Sequence, residues 1–363
     1  MVVKDLSLEE KIGQMFIIGI GNKKHIPEVL NMIKHHHIGG VLLYKNNYDN
    51  YEELTKLVNK LYEANKNNKI PLFIAIDQEG GIVNRMPNEF LNFYSAKKLA
   101  LLNDEKIIKD SAKTTAKMLN EIGFNLNFAP VVDLQNKDNN WLSKRCFSTN
   151  PKTVTKYATK YMEELNKQNI ISVIKHFPGH GATKIDSHAL IPVIKKYKNL
   201  SKDLQPFKQI IEKDCDAIMT AHILIKDIDK FNPCTLSKKF VEEKIRKELK
   251  YDGIIITDEI RMKGIRYLYG KNRAVLKAFN AGNDIILTKY RKNDIKLLNI
   301  IKKSIKDEKE LDKHVERILN LKNKYKLSSK NKTKKCNINQ INEEIKRINK
   351  LVEEKIKMHE IKN

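Results

Sequence analysis

The chain predicts an α/β fold: a (β/α)8 barrel of the TIM type with a C-terminal helical tail. Eight short apolar, β-branched runs alternate with helical stretches, which requires a parallel sheet, and eight such units are the number that closes into a barrel. The runs are continuously apolar, as strands buried on both faces are. Polar or charged residues stand at the C-terminal ends of the third, fifth, sixth and seventh runs, the face that carries the chemistry in such barrels.

Taken in order, Ser7 followed three residues later by Glu10 marks a capped helix start ahead of a first strand at 16–19. A helix around 26–35 leads to a second strand at 38–44. The run His35-His36-His37 reads as a solvated helix end, because three adjacent side chains cannot all face one ion from regular structure. Helical periodicity over 51–64 gives way to a third strand, 71–77, that ends in Asp77-Gln78-Glu79-Gly80-Gly81. No G-x-x-x-x-G-K pattern surrounds the glycines, so they read as a tight turn. Asp77 then either faces a cleft or caps the next helix.

A helix near 106–123 precedes a fourth strand at 125–134, and another helix begins after Asn150-Pro151. The fifth strand, 170–176, ends in Lys175-His176. A helix at 204–213 precedes a sixth strand, 216–223, that carries His222 near its end. A helix at 242–249 leads to a seventh, 253–259, that ends in Asp258-Glu259. A helix at 275–280 and an eighth strand at 283–287 complete the set. From about Lys324 the chain turns polar and basic, and then Ile338, Ile341, Ile345, Ile348 and Val352 trace a narrow helical stripe. The expected plan is a catalytic barrel over 1–325 and a basic linker with a helical tail over 326–363, the tail packed on the barrel or on a partner subunit.

At 363 residues the chain is long enough for one such barrel with extensions. No apolar run approaches the ~20 residues that span a bilayer, and the N-terminus carries no export signal, so no membrane partner is expected. Cys146, Cys215, Cys234 and Cys336 show no C-x-x-C spacing and are expected as free thiols in the cytoplasm. The net charge of +25 is spread along the chain without an aromatic-interleaved basic motif, so it is read as surface composition, with no nucleic-acid partner.

The chemistry centres on the loop after the fifth strand, Lys175-His176-Phe177-Pro178-Gly179-His180-Gly181, and on Asp186-Ser187-His188 a few residues further. Pro178 and Gly179 stop the strand. In an extended segment Asp186 and His188 project to one side, so the carboxylate can hold the imidazole, fix its tautomer and raise its basicity.

These residues resemble glycoside hydrolase family 3, in particular its β-N-acetylglucosaminidase subgroup. The resemblance rests on the loop just described together with Asp77-Gln78-Glu79-Gly80-Gly81, Arg145-Cys146-Phe147, Met219-Thr220-Ala221-His222, Thr235-Leu236-Ser237 and Thr257-Asp258, in the family's order. It implies retaining hydrolysis by double displacement, with Asp258 as nucleophile and His188, held by Asp186, as acid and then base. Asp77, Arg145, Lys175 and His176 match positions that resemble the family's sugar-hydroxyl ligands, and His180 and His222 shape the cleft. Glu259 is the neighbouring carboxylate, and the Thr257-Asp258 pair favours Asp258 over it. Ile82 stands where many relatives carry Arg.

The resemblance further implies terminal N-acetylglucosamine released from muropeptide fragments, with no cofactor and no metal, by a monomer or homodimer. Three other readings are carried. A family 3 enzyme for another sugar, or a phosphorylase, fits because a His acid/base adds no negative charge beside an incoming phosphate. A zinc hydrolase built on His176, His180, Asp186 and His188 is disfavoured, since Pro178-Gly179 excludes a helical H-x-x-x-H face. A binding protein with a retired site is the last.

Overall fold

The computed structural model describes residues 2–136, 139–183, 190–329 and 332–361. Eight parallel strands form the central sheet: β1 Phe16–Gly19, β2 Gly40–Leu43, β3 Phe73–Ile76, β4 Leu126–Asn127, β5 Ile171–Phe177, β6 Ala217–Thr220, β7 Ile254–Thr257 and β8 Ile286–Lys289. Sequential strands pair throughout, β8 pairs with β1, and a parallel bridge between Ile256 and Ile285 closes the ring.

Alternation along the strands divides the apolar residues into two cores. Ile17, Leu42, Phe73, Ala75, Leu126, Ile171, Val173, Ala217, Met219, Ile254, Ile256 and Leu287 fill the barrel. Ile18, Val41, Ile74, Ile174, Ile218 and Ile255 point outward into the layer beneath the helices. Both faces are therefore buried, which is why the runs look continuously apolar. Ile318, Leu321 and Tyr325, on and just after helix Glu308–Lys324, seal the lower end. Beside them the buried Lys322 ammonium donates to Gln14 Oε1 at 2.6 Å, Gly39 O at 3.0 Å and Pro71 O at 2.6 Å. Those three acceptors use its three protons, and burial pushes its pKa well below the ordinary lysine range.

The fourth strand is shorter than expected. Its regular part is Leu126–Asn127, because Pro130 has no amide to donate. Pairing resumes through Lys175 N to Pro130 O at 3.3 Å and Val132 N to Lys175 O at 2.7 Å, which brings Asp133 alongside the end of β5. A small parallel ladder of Val193–Ile194 with Leu224–Ile225, not expected from sequence, lies outside the barrel.

The tail helix Ile338–Ile361 lies on the barrel, against helix Glu105–Ile122. Ile341, Ile345, Ile348 and Val352 are buried in the outer core. Ile348→Ala is expected to cost about 2–5 kcal/mol, read as a lower urea midpoint at unchanged slope. A cost under about 0.5 kcal/mol, the range of surface substitutions, would mean that the tail is peripheral to folding. Among the described residues no helix is long and apolar enough to cross a membrane.

Candidate active site

The barrel's inward alternation continues to the C-terminal ends of the strands and just beyond them. Two residues beyond the inward-facing Leu42, Ala75, Val173, Ala217, Ile256 and Leu287 stand Tyr44, Asp77, Lys175, Met219, Asp258 and Lys289. All six line one open cleft of about 260 Å³ at the C-terminal mouth. Strand parity thus delivers groups from separate strands to one place. Arg145 and Trp141 enter from the segment after β4, and His176 from the end of β5.

Asp77 does not cap a helix. The next helix, Ala96–Ala100, begins well downstream and is capped by Ser95. The Asp77 carboxylate instead accepts from Lys175 Nζ at 2.7 Å. Lys175 is 2% exposed and its ammonium also reaches Glu79 Oε1 at 2.6 Å. Arg145 binds both Glu79 oxygens, Nε to Oε2 at 2.8 Å and Nη2 to Oε1 at 2.7 Å. Burial alone would raise the Glu79 pKa, but Arg145 and Lys175 outweigh it and hold the carboxyl below its usual range. A buried network of two anions and two cations thus fixes the cationic donors at the floor of the cleft.

His176 is fixed from the other side. Its Nδ1 lies 2.7 Å from Asp133 Oδ2, which also accepts from the His176 amide at 3.2 Å. The His180 amide donates to Asp133 Oδ1 at 2.8 Å. The Asp133 carboxyl is fully buried; burial alone would raise its pKa, but His176 lowers it below the ordinary value. An anionic Asp133 keeps a proton on Nδ1 of His176 and fixes the orientation of the ring. Burial pushes the His180 imidazole down to about 4, and its ring meets His176 edge-on at 5.6 Å.

Asp258 follows β7 and is partly exposed in the cleft. Its amide donates to Thr220 O at 3.1 Å, and its Oδ1 accepts from the Glu259 amide at 2.7 Å. Glu259 Oε1 is committed elsewhere, accepting from the Arg261 and Lys289 amides at 3.0 Å each. His222 is fully buried between Thr235 Oγ1 at 3.1 Å and the Glu259 carbonyl at 3.0 Å, so it supports the wall of the cleft.

The cleft therefore gathers Asp77, Arg145, Lys175, His176 and Asp258. Asp186 and His188 lie outside the described residues. Glu79 and Asp133 were not singled out from sequence. Each carried a usable signal: Glu79 sits two residues beyond Asp77, and Asp133 ends a buried apolar run as Asp258 does. A larger hollow of about 520 Å³ lies at the opposite end of the barrel. There Asp214 and Asp216 pair with Lys324, and Asp252 with Arg317, so its charges answer one another. Among the described residues no three His, Cys, Asp or Glu side chains are grouped to hold a metal ion.

An eight-stranded parallel barrel with converging carboxylates and cations at its C-terminal mouth defines an enzyme of the TIM-barrel class. The sequence profile of the glycosyl hydrolase family 3 N-terminal domain matches residues 7–321, and the chain belongs to that family of glycoside hydrolases. Beta-hexosaminidase A of Pseudoalteromonas piscicida is 36% identical over 282 residues, 72% of this chain and 47% of that protein. This chain thus spans about half the length of that relative. Beta-hexosaminidase of Haemophilus influenzae (strain ATCC 51907 / DSM 11121 / KW20 / Rd) is 31% identical over 278 residues, 75% of this chain and 78% of that protein. The structure of a family 3 beta-N-acetylglucosaminidase from Paenibacillus sp. str. FPU-7 superposes with a TM-score of 0.87 at 28% identity, covering 96% of this chain and 69% of that one.

Proposed function

We propose that the protein is a retaining exo-β-N-acetylglucosaminidase. The observation that carries the reading is the half-open Asp258 carboxylate in the same cleft as a buried network of hydroxyl-binding groups. The relatives named beta-hexosaminidase support the sugar class.

In the first step Asp258 attacks the anomeric carbon, the bond to the leaving oxygen breaks, and His188 gives that oxygen its proton. In the second, His188 takes a proton from water, water attacks the same carbon, and the ester bond to Asp258 breaks. Asp186 stabilises the imidazolium that His188 carries before the first step and regains in the second. Asp77 accepts from sugar hydroxyls, Lys175 and Arg145 donate to them, and His176 presents its Nε2 to them. A sugar lacking one of those hydroxyls leaves a buried group unpaired, which makes the floor discriminating.

Muropeptide fragments are the substrates we assign. They carry carboxylates, and the net charge of +25 favours their capture. The cytoplasm is the assigned compartment, supported by four cysteines that are all unpaired.

The test is turnover of para-nitrophenyl N-acetyl-β-glucosaminide and of the matching β-glucoside, each with and without phosphate. Preference for the acetamido sugar, with free N-acetylglucosamine as product, is expected. Phosphate-stimulated release of a sugar phosphate would reassign the enzyme as a phosphorylase. No turnover of either glycoside would sink the reading.

A further inference from the structure

The only tryptophan of the chain, Trp141, is an unusual residue to leave at a surface: it lines the cleft and is 41% exposed. Large aromatics dominate burial energetics, and an exposed one at the rim of a polar cleft suits a ligand face. It is also a well-held one. The ring stacks with the Arg145 guanidinium at 4.2 Å, and that guanidinium is clamped by Glu79.

The short helix that carries the ring, Asn140–Ser143, is tied at both ends. Leu142 N donates to Asn139 Oδ1 at 3.2 Å, and Cys146 Sγ lies 3.2 Å from Leu142 O. Asn136 N donates to Ser143 Oγ at 2.9 Å, while Asn136 Nδ2 donates to Gly181 O at 2.8 Å and Thr183 O at 2.9 Å. The indole therefore stands on a built platform, anchored both to the floor network and to the loop after β5.

Depth in the cleft orders the groups. Lys175 is 2% exposed, Arg145 6% and His176 7%, whereas Trp141 is 41% exposed. An enzyme that removes a terminal sugar seats it at the floor among the polar groups, so its leaving group points to the mouth. The face of a pyranose ring presents C–H groups, which match the electron-rich face of an indole.

We infer that Trp141 is the stacking platform for the sugar ring of the leaving group, and so sets the preference for a saccharide at that position. The inference rests on the glycosidase reading and adds to it a residue that recognises the aglycone and takes no part in bond cleavage.

Two measurements test it. The first compares Trp141→Ala and Trp141→Phe with wild type on N,N′-diacetylchitobiose, whose leaving group is a sugar, and on N-acetyl-β-glucosaminyl fluoride, whose leaving group is one atom. Trp141→Ala is expected to lower kcat/KM for the disaccharide by about tenfold, a stacking contact of roughly 1.4 kcal/mol. The loss on the fluoride is expected to be much smaller than on the disaccharide, and Trp141→Phe to keep most of the disaccharide activity. The second follows the emission of this single tryptophan in Asp258→Ala, where chitobiose is expected to shift it and N-acetylglucosamine to leave it nearly still.

An equal loss on both substrates, or no loss on either, would overturn the platform while leaving the glycosidase reading intact. So would an emission that chitobiose does not move. Failure of the wild type to cleave either substrate would instead overturn the underlying reading, and the platform with it.

Discussion

Asp258→Ala is expected to lower kcat for para-nitrophenyl N-acetyl-β-glucosaminide on the order of 10⁴-fold or more, with little change in the urea midpoint. The carboxylate forms the only covalent bond between protein and sugar in the proposed cycle, so its loss removes the first step. Glu259 is less suited to take its place, because two backbone amides at 3.0 Å hold its Oε1 against the wall. The space left by the missing carboxylate is open to the cleft, so a small anion can occupy it. Azide is therefore expected to restore turnover and to yield the α-glycosyl azide, since a single displacement on that face inverts the anomeric centre. That stereochemistry separates a lost nucleophile from a misfolded variant. Retained activity in Asp258→Ala, or rescue with a β-azide product, would remove Asp258 from the role. Glu259→Ala in parallel is expected to lose far less, as a wall residue does.

The barrel was legible because its strands are short and buried on both faces, so each leaves an unbroken apolar run in the sequence. What sequence could not give was the interruption of β4, where Pro130 removes a donor and the ladder resumes two residues later beside Asp133. The cleft was legible where a polar residue ends an apolar run: Asp77, Lys175, His176 and Asp258. Arg145 came from the resemblance, since nothing local marks it. Glu79 and Asp133 escaped because their meaning is in distant partners. Glu79 pairs with Arg145, 66 residues away, and Asp133 with His176, 43 residues away. Reading the alternation two residues on from the inward-facing Leu42 and Leu287 would have pointed to Tyr44 and Lys289 as well. The acid/base pair Asp186 and His188 stays a reading of the sequence motif alone.

The second large effect is expected at Glu79, a residue that need not touch substrate. Glu79→Gln removes the anion shared by Arg145 and Lys175, both nearly inaccessible, and leaves Asp77 as the remaining counter-charge of that network. Breaking a buried ion pair by neutralising one partner costs about 3–5 kcal/mol, mostly the penalty of the charge left behind. The stability loss should be accompanied by a drop in kcat/KM of about 10²-fold, because Arg145 and Lys175 lose the clamp that holds them at the floor of the cleft, where we propose that they meet sugar hydroxyls. The pH dependence fixes the sign. The folded Glu79 carboxyl titrates below its ordinary value of 4.5, so its stabilisation is complete above that pH and is lost as pH falls through the lower, folded value. Wild-type stability should therefore decline as pH drops below about 4.5, and Glu79→Gln should flatten that decline. Urea unfolding at several pH values reads both quantities. If Glu79→Gln stays within 1 kcal/mol of wild type with unchanged kcat/KM, the two cations have other counter-charges and Glu79 is not what holds the floor of the cleft together.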